Sequence, residues 1–239
     1  ENTDKQIEDF FNITILDPAC GSGSFLVKSF KKIFERYLKL DAFLLNKQKK
    51  FSPENGHYDS NKSWNIIENF RVKLKTKEKK LLIPSILLRH IHGNDIDKSA
   101  INVAKVNLWL ESIKISPSSF RYDNLGKSNR ILPYLEMNLV SGNALIGLDD
   151  SLVVDFILTH KKNELKKLFV LREEYMLNPK EPQLIKDIEK IQEEIQNELN
   201  KIFFEKLTEL NIPPTFTNTN KILHWPLSFF HFYFDNENA

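Results

Sequence analysis

The spacing of apolar and polar residues predicts alternating strands and helices in the first 150 residues. An apolar run at 13–16 predicts a short buried strand, and apolar residues at helical spacing over 25–40 predict an amphipathic helix. A second apolar run predicts a strand that ends near Asn94, and Asp97 then stands in the N-cap position of another helix. Residues 137–147 predict a third strand that runs into a polar turn. This alternation predicts an α/β fold.

The remaining segments differ from these in composition and in the spacing of their apolar residues. Residues 41–80 are polar and irregular and predict a surface insertion, in which the basic run 73–80 favours a solvated helical face over a phosphate contact. Residues 151–210 are rich in Glu, Lys, Leu and Ile and break once, at 178–182; after the break the apolar positions over 184–202 alternate by three and four. We interpret them as an inserted αα-hairpin or coiled-coil arm that could make protein contacts. We interpret the aromatic return segment 211–239 as the approach to a further strand.

Composition narrows the class of protein. The 239 residues are 41% hydrophobic and 28% charged, and no apolar run approaches the roughly 20 residues of a membrane span, so no membrane partner is predicted. A single cysteine excludes an internal disulfide and favours a reducing, cytoplasmic location. The net charge of +2 permits a nucleic-acid partner without arguing for one. The six histidines show no metal-ligand spacing, so no metal is predicted.

The turn at 17–23, Asp-Pro-Ala-Cys-Gly-Ser-Gly, carries the first chemical signal. A strand that ends in a glycine turn at a helix N-terminus brings backbone N–H groups to an open crevice, and glycine lets a ligand approach the main chain. The spacing is not the dinucleotide pattern G-x-G-x-x-G, which places a nicotinamide-dependent oxidoreductase last among the alternatives. Asp17 would repel a pyrophosphate but attract a cation. S-adenosyl-L-methionine has an ammonium and a sulfonium and no phosphate, so it suits this turn better.

Two other predicted strand ends carry polar residues suited to the same ligand. Asp95 could accept hydrogen bonds from both ribose hydroxyls, with Ile96 beside the adenine ring. Asn143 could bond the adenine edge. Each residue also has a purely structural interpretation: Asp95 or Asp97 could only cap a helix, and Asn143 could only stabilise a turn.

Four stretches together resemble the adenine-N6 DNA methyltransferases of restriction–modification systems. Residues 16–26 are similar to the first motif of that family almost residue for residue, and 91–110 resemble the second motif with its following helix. Residues 131–147 resemble the third motif as found in large enzymes that combine methylase, nuclease and target recognition in one polypeptide. Residues 223–230 resemble the segment that precedes the catalytic motif.

This resemblance implies a partial Rossmann-like, S-adenosylmethionine-dependent methyltransferase fold with helical insertions, acting on double-stranded DNA as the full-length protein. It places the methionine moiety beside Asp17, Ala19, Cys20 and Gly21, the ribose and adenine beside Asp95 and Ile96, and the adenine amino group beside Asn143. The full predicted cofactor-binding set is Asp17, Pro18, Ala19, Cys20, Gly21, Gly23, Asp95, Ile96, Asn143 and Ala144. Many relatives have Asp at the position of Asn143; Asn keeps an acceptor oxygen but loses the charge.

The catalytic tetrad of that family, Asn or Asp followed by Pro, Pro and an aromatic residue, does not occur in this sequence. No catalytic residue is therefore predicted, and we expect a piece of a longer enzyme. Its predicted parts are a cofactor-binding half at 1–150, the arm at 151–210, and the segment 211–239 leading to a missing catalytic motif. Alone it is expected to be inactive and to bind the cofactor weakly at best.

Two alternatives stay open at this point. The cofactor half says little about the acceptor, so a methyltransferase acting on RNA or protein is the close alternative. A non-catalytic module that serves for assembly in a defence complex is the alternative from another class.

Overall fold

The structure is a computed structural model that describes residues 9–50, 79–115, 134–177, 181–213 and 221–234. The strands are β1 (Ile15–Asp17), β2 (Ile91–Asp95) and β3 (Leu139–Ser141). The helices are α1 (Ser24–Lys50), α2 (Lys79–His90), α3 (Lys98–Ile115), α4 (Asp150–His160), α5 (Lys162–Leu177), α6 (Pro182–Glu209), α7 (Trp225–Ser228) and α8 (Phe230–Tyr233).

The three strands form one parallel sheet in the order β1-β2-β3. Asp17 pairs with Gly93, and Asp95 pairs with Ser141. Parallel neighbours need a crossover between them, and here α1 and α3 provide the helices of the two crossovers. The register brings the carboxyl ends of all three strands to one edge of the sheet. The predicted α/β architecture is confirmed at this level.

The first face of the sheet is covered by α1 and α3. Gly93, in the middle of β2, allows this close packing because it has no side chain. A β-carbon there would lie 2.8 Å from Leu26 Cδ1 of α1 and 3.1 Å from Leu139 Cδ2 of β3. The apolar face of α1 is buried largely as the spacing predicted, but Phe25, which belongs to the same pattern, is 57% exposed. Leu110 of α3 is likewise 49% exposed.

The second face of the sheet is covered by the aromatic tail. Successive residues of a strand point to opposite faces, so His92 projects away from α1. Its ring packs against Phe232 and His231, with centroids 4.7 and 5.0 Å away. The helices α4–α6 pack behind this tail; Phe169 of α5, for example, makes an edge-to-face contact with Phe230 at 5.1 Å.

One sequence-based boundary differs from the observed elements. The helix α1 continues to Lys50, through the start of the predicted polar insertion at 41–80, while 51–78 lie outside the described residues. The described part of the tail forms a single parallel bridge between Asn143 and Ile222, after which α7 and α8 follow; that this segment approaches a further strand stays a prediction. The division of the chain into a cofactor half, an arm and a return segment stays a prediction. Among the described helices, none is long and apolar enough to cross a membrane.

Candidate functional site

The turn between β1 and α1 is held by its own backbone and by β2. Asp17 Oδ1 accepts the N–H of Ala19 at 3.1 Å, and the N–H of Cys20 donates to the carbonyl of Asn94 at 2.8 Å. Gly21 and Gly23 have φ of +52° and +79°, in the left-handed region that favours glycine. The two glycines of this turn are therefore favoured by its backbone conformation.

The two glycines differ in their surroundings. A β-carbon at Gly23 would lie 2.8 Å from Ala104 Cβ of α3, so this glycine allows the turn to pack directly on that helix. A β-carbon at Gly21 would meet no heavy atom of the described residues within 4 Å. The turn is thus packed on its helix side and open above Gly21, which is the space that a ligand of the main chain would need.

Asp95 joins the end of β2 to this turn. Its Oδ2 accepts the N–H of Gly21 at 2.7 Å, and its Oδ1 accepts the N–H of Asp97 at 2.9 Å. The cap of α3 is Asp97, whose Oδ1 accepts the N–H of Ser99 at 2.7 Å. A carboxylate oxygen can accept two hydrogen bonds, so Asp95 keeps an acceptor position on each oxygen after these contacts.

Asn94 ties the three strand ends together, a role that sequence reasoning missed. Its side-chain NH₂ donates to the carbonyls of Pro18 at 3.2 Å and Gly142 at 3.0 Å. The side chain is buried, and its Oδ1 has no hydrogen-bond partner among the described residues. The sequence signal for this role was the amide of Asn94 at the end of a predicted buried strand, directly before Asp95.

Asn143 follows β3 and stabilises a turn. Its Oδ1 accepts the N–H of Leu145 at 2.9 Å, which is the Asx turn that its structural interpretation predicted. Its backbone N–H donates to the carbonyl of Lys221 at 2.8 Å, and the carbonyl of Ala144 accepts the indole N–H of Trp225 at 3.1 Å. These contacts place the third strand end against the tail, and contact with an adenine ring stays a prediction.

Apolar side chains are exposed at the same edge of the sheet. Ile96, predicted to lie beside the adenine, is 55% exposed, and Leu145 is 94% exposed. Both follow the end of a strand, which is where a planar ring could cover them. Leu145 was not among the predicted site residues, because nothing in its local pattern separates it from a core leucine.

The carboxylates of Asp17 and Asp95 give the turn a negative potential. The pKa of the Cys20 thiol is raised to about 11, first by burial and then by the carboxylates of Asp17 and Asp95. The thiol therefore stays protonated at neutral pH and is not a nucleophile. Both predicted carboxylates act on one point of the turn, so the negative potential is concentrated there. In the described ranges, no group of three or more His, Cys, Asp or Glu side chains could hold a metal ion.

Comparison with known proteins identifies a family and two relatives that this chain resembles. The family model "MmeI, DNA-methyltransferase domain" matches residues 2–210. A putative type II restriction enzyme and methyltransferase of Methanocaldococcus jannaschii, RM.MjaORFECS2P, is 27% identical over 147 residues, which are 61% of this chain and 10% of that protein. The type II restriction enzyme and methyltransferase RM.Eco57I of Escherichia coli is 26% identical over 142 residues, 59% of this chain and 12% of that protein.

The chain thus matches only about a tenth of the length of these curated relatives. No solved structure matches it at a significant level. The family match covers most of the chain, including all three strand ends described above. The chain belongs to the MmeI DNA-methyltransferase domain family.

Proposed function

We propose that this chain is the S-adenosyl-L-methionine-binding part of a DNA methyltransferase that methylates N6 of adenine in a specific sequence of double-stranded DNA. The observation that carries the proposal is the 2.7 Å hydrogen bond from Gly21 to Asp95, residues 74 positions apart in sequence. It holds the glycine turn and the second strand end together, as a ligand that spans both would require. The parallel sheet supports a partial Rossmann-like fold.

The chemistry of the cofactor fits the residues present. Asp17 and Asp95 make the turn negative, which favours the ammonium and sulfonium of this cofactor and disfavours a pyrophosphate. The remaining acceptor positions of Asp95 suit the two ribose hydroxyls, and the exposed Ile96 suits one face of the adenine. We place Asn143 and Ala144 at the adenine edge. When bound, the cofactor supplies an electrophilic methyl group on its sulfonium.

The acceptor is proposed from the family and the relatives. Both relatives are named as restriction enzymes and methyltransferases, which favours DNA over RNA or protein. Adenine N6 as the target rests on the resemblance of the motifs. An adenine amino group is a weak nucleophile, and a polar side chain and a carbonyl that accept its N–H bonds would raise its electron density. This sequence has no Asn/Asp-Pro-Pro-aromatic tetrad for that task, and we propose that the whole protein supplies it, in the cytoplasm.

Calorimetric titration of the chain with S-adenosylhomocysteine tests the cofactor site. We expect weak but measurable binding, and a loss of about tenfold or more in affinity for Asp95→Ala, because hydrogen bonds to a charged acceptor contribute about 1.5–3 kcal/mol. The control is Asp155→Asn, which removes an exposed carboxylate of α4 and leaves the site unchanged. Thermal melts of each variant establish that it is folded.

Two outcomes would contradict the proposal. Equal affinity of the wild-type chain and Asp95→Ala would remove Asp95 from the site. The absence of any heat of binding in the folded wild-type chain would contradict its role in holding the cofactor.

A further inference from the structure

Two lysines lie near the third strand end, and a third lies further along α3 on the same side of the sheet. Lys98 is the first residue of α3, Lys105 lies two turns further along the same helix, and the carbonyl of Lys221 accepts the N–H of Asn143. The tail is thus anchored next to the start of α3, because Gly142, which precedes Asn143, donates its N–H to the carbonyl of Asp95 at 3.0 Å. The pKa of Lys221 is lowered, first by burial and then by the charges of the other two lysines.

The ammonium groups of these three lysines are only partly paired with carboxylates. Lys105 pairs with Glu136 at 3.4 Å. Within the described parts of the chain, neither Lys98 nor Lys221 has a carboxylate within ion-pair distance. The positive end of the α3 dipole is already offset by the N-cap carboxylate of Asp97, whose Oδ1 accepts the N–H of Ser99, so the two lysines are the groups that a further anion would meet. A bound anion at this position would offset the repulsion among the lysines.

The chemistry of the surroundings selects the anion. The proposed cofactor carries no phosphate. A free phosphate group is usually held by a glycine-rich turn, but here the N–H groups of Ala19 and Gly21 already donate to the carboxylates of Asp17 and Asp95. What Lys98 offers is an exposed ammonium at the surface of the protein, which suits a phosphate on a large polyanion.

We propose that Lys98 and Lys221, with Lys105 adding to their field, form a contact for a backbone phosphate of double-stranded DNA. The choice of DNA as the anion rests on the proposed function. The contact would lie at the carboxyl edge of the sheet, on the β3 side of the cofactor crevice. It would position the duplex without reading its sequence, because a phosphate contact carries no base information.

The test measures the salt dependence of duplex binding. The chain is titrated into a short fluorescein-labelled DNA duplex at several sodium chloride concentrations, and binding is followed by fluorescence anisotropy. For the double variant Lys98→Gln/Lys221→Gln we expect weaker binding and a slope of log K against log salt that is smaller by about one, since the contact with one phosphate contributes about 0.9. The control Lys190→Gln/Lys201→Gln removes the same charge from exposed positions of α6 and should keep the wild-type slope.

Titration with S-adenosylhomocysteine separates this inference from the proposed function. If the lysines contact DNA, the double variant keeps the wild-type affinity for S-adenosylhomocysteine. A slope equal to that of the control pair, or no binding of DNA by the wild-type chain, would overturn the phosphate contact and leave the cofactor site standing. A loss of cofactor affinity with an unchanged slope would assign the lysines to the cofactor crevice and would also overturn it.

Discussion

At the scale of single residues, Gly23 is where backbone conformation and packing coincide. Its positive φ is strained for any residue with a β-carbon, and the space that the β-carbon would occupy is filled by Ala104. Gly21 has the same kind of backbone but open space above it. Substitution of Gly21 and Gly23 therefore separates backbone strain from overpacking within one turn.

We predict that Gly23→Ala lowers the free energy of unfolding by about 2–4 kcal/mol, of which about 1–2 kcal/mol is backbone strain and the rest overpacking. The matched control Gly21→Ala should lose only the strain contribution, about 1–2 kcal/mol. Urea denaturation of both variants measures the difference. Equal losses would show that the contact with Ala104 relaxes at no cost.

At the scale of the elements, the strand ends are held together by side chains as well as by the sheet ladder. Asn94 of β2 reaches the carbonyls of Pro18 after β1 and Gly142 after β3. The predicted site is built on these same strand ends, so the amide of Asn94 positions the residues on both sides of it.

We predict that Asn94→Ala destabilises the chain by about 1–3 kcal/mol, because the Gly142 carbonyl loses a buried hydrogen bond. If Asn94 has a purely structural role, this loss of stability is the only effect expected. A positioning role also predicts weaker binding of S-adenosylhomocysteine at a temperature where the variant is folded. The control is Asn102→Ala on the exposed side of α3, for which we expect neither effect. Wild-type affinity in folded Asn94→Ala would contradict the positioning role.

At the scale of the whole molecule, the tail holds the second face of the sheet to the helices α4–α6. His224 is fully buried between them. Its Nδ1 accepts the N–H of Leu148 at 3.2 Å, so its Nε2 carries the proton and donates to Asn200 Oδ1 at 3.2 Å. Burial lowers the pKa of His224 to about 4, against about 6.5 for an ordinary histidine. Protonation would place a second donor opposite the Leu148 N–H.

We predict that acid destabilises this packing. The folded pKa is depressed, so the unfolded state binds more protons between about pH 4 and pH 6.5; the stabilisation is present above that window and is lost as pH falls through it. His224 contributes a slope of up to about 1.4 kcal/mol per pH unit. Urea denaturation at several pH values should give a shallower dependence for His224→Gln than for the wild-type chain. Identical slopes would show that His224 does not titrate on unfolding.

The sequence by itself determined the local elements and the family. Helical spacing and glycine placement are properties of neighbouring residues, so the strand–turn–helix order, the cap at Asp97 and the motifs that point to the family were readable directly. The broad α/β class and the membership in a restriction–modification methylase family are confirmed. The cofactor residues stay predictions, although the structure brings Gly21 and Asp95 into contact.

Only the tertiary structure decided which segments meet. The contact of His92 with His231 spans 139 positions, and the hydrogen bonds of Asn94 span 76 and 48. Local periodicity carries no information about such pairs, because it reports which face of an element is apolar but not what covers that face. The same reason explains why the packing of α7 and α8 on the second face of the sheet was not predicted, and why the lysines beside β3 were not predicted as a cluster.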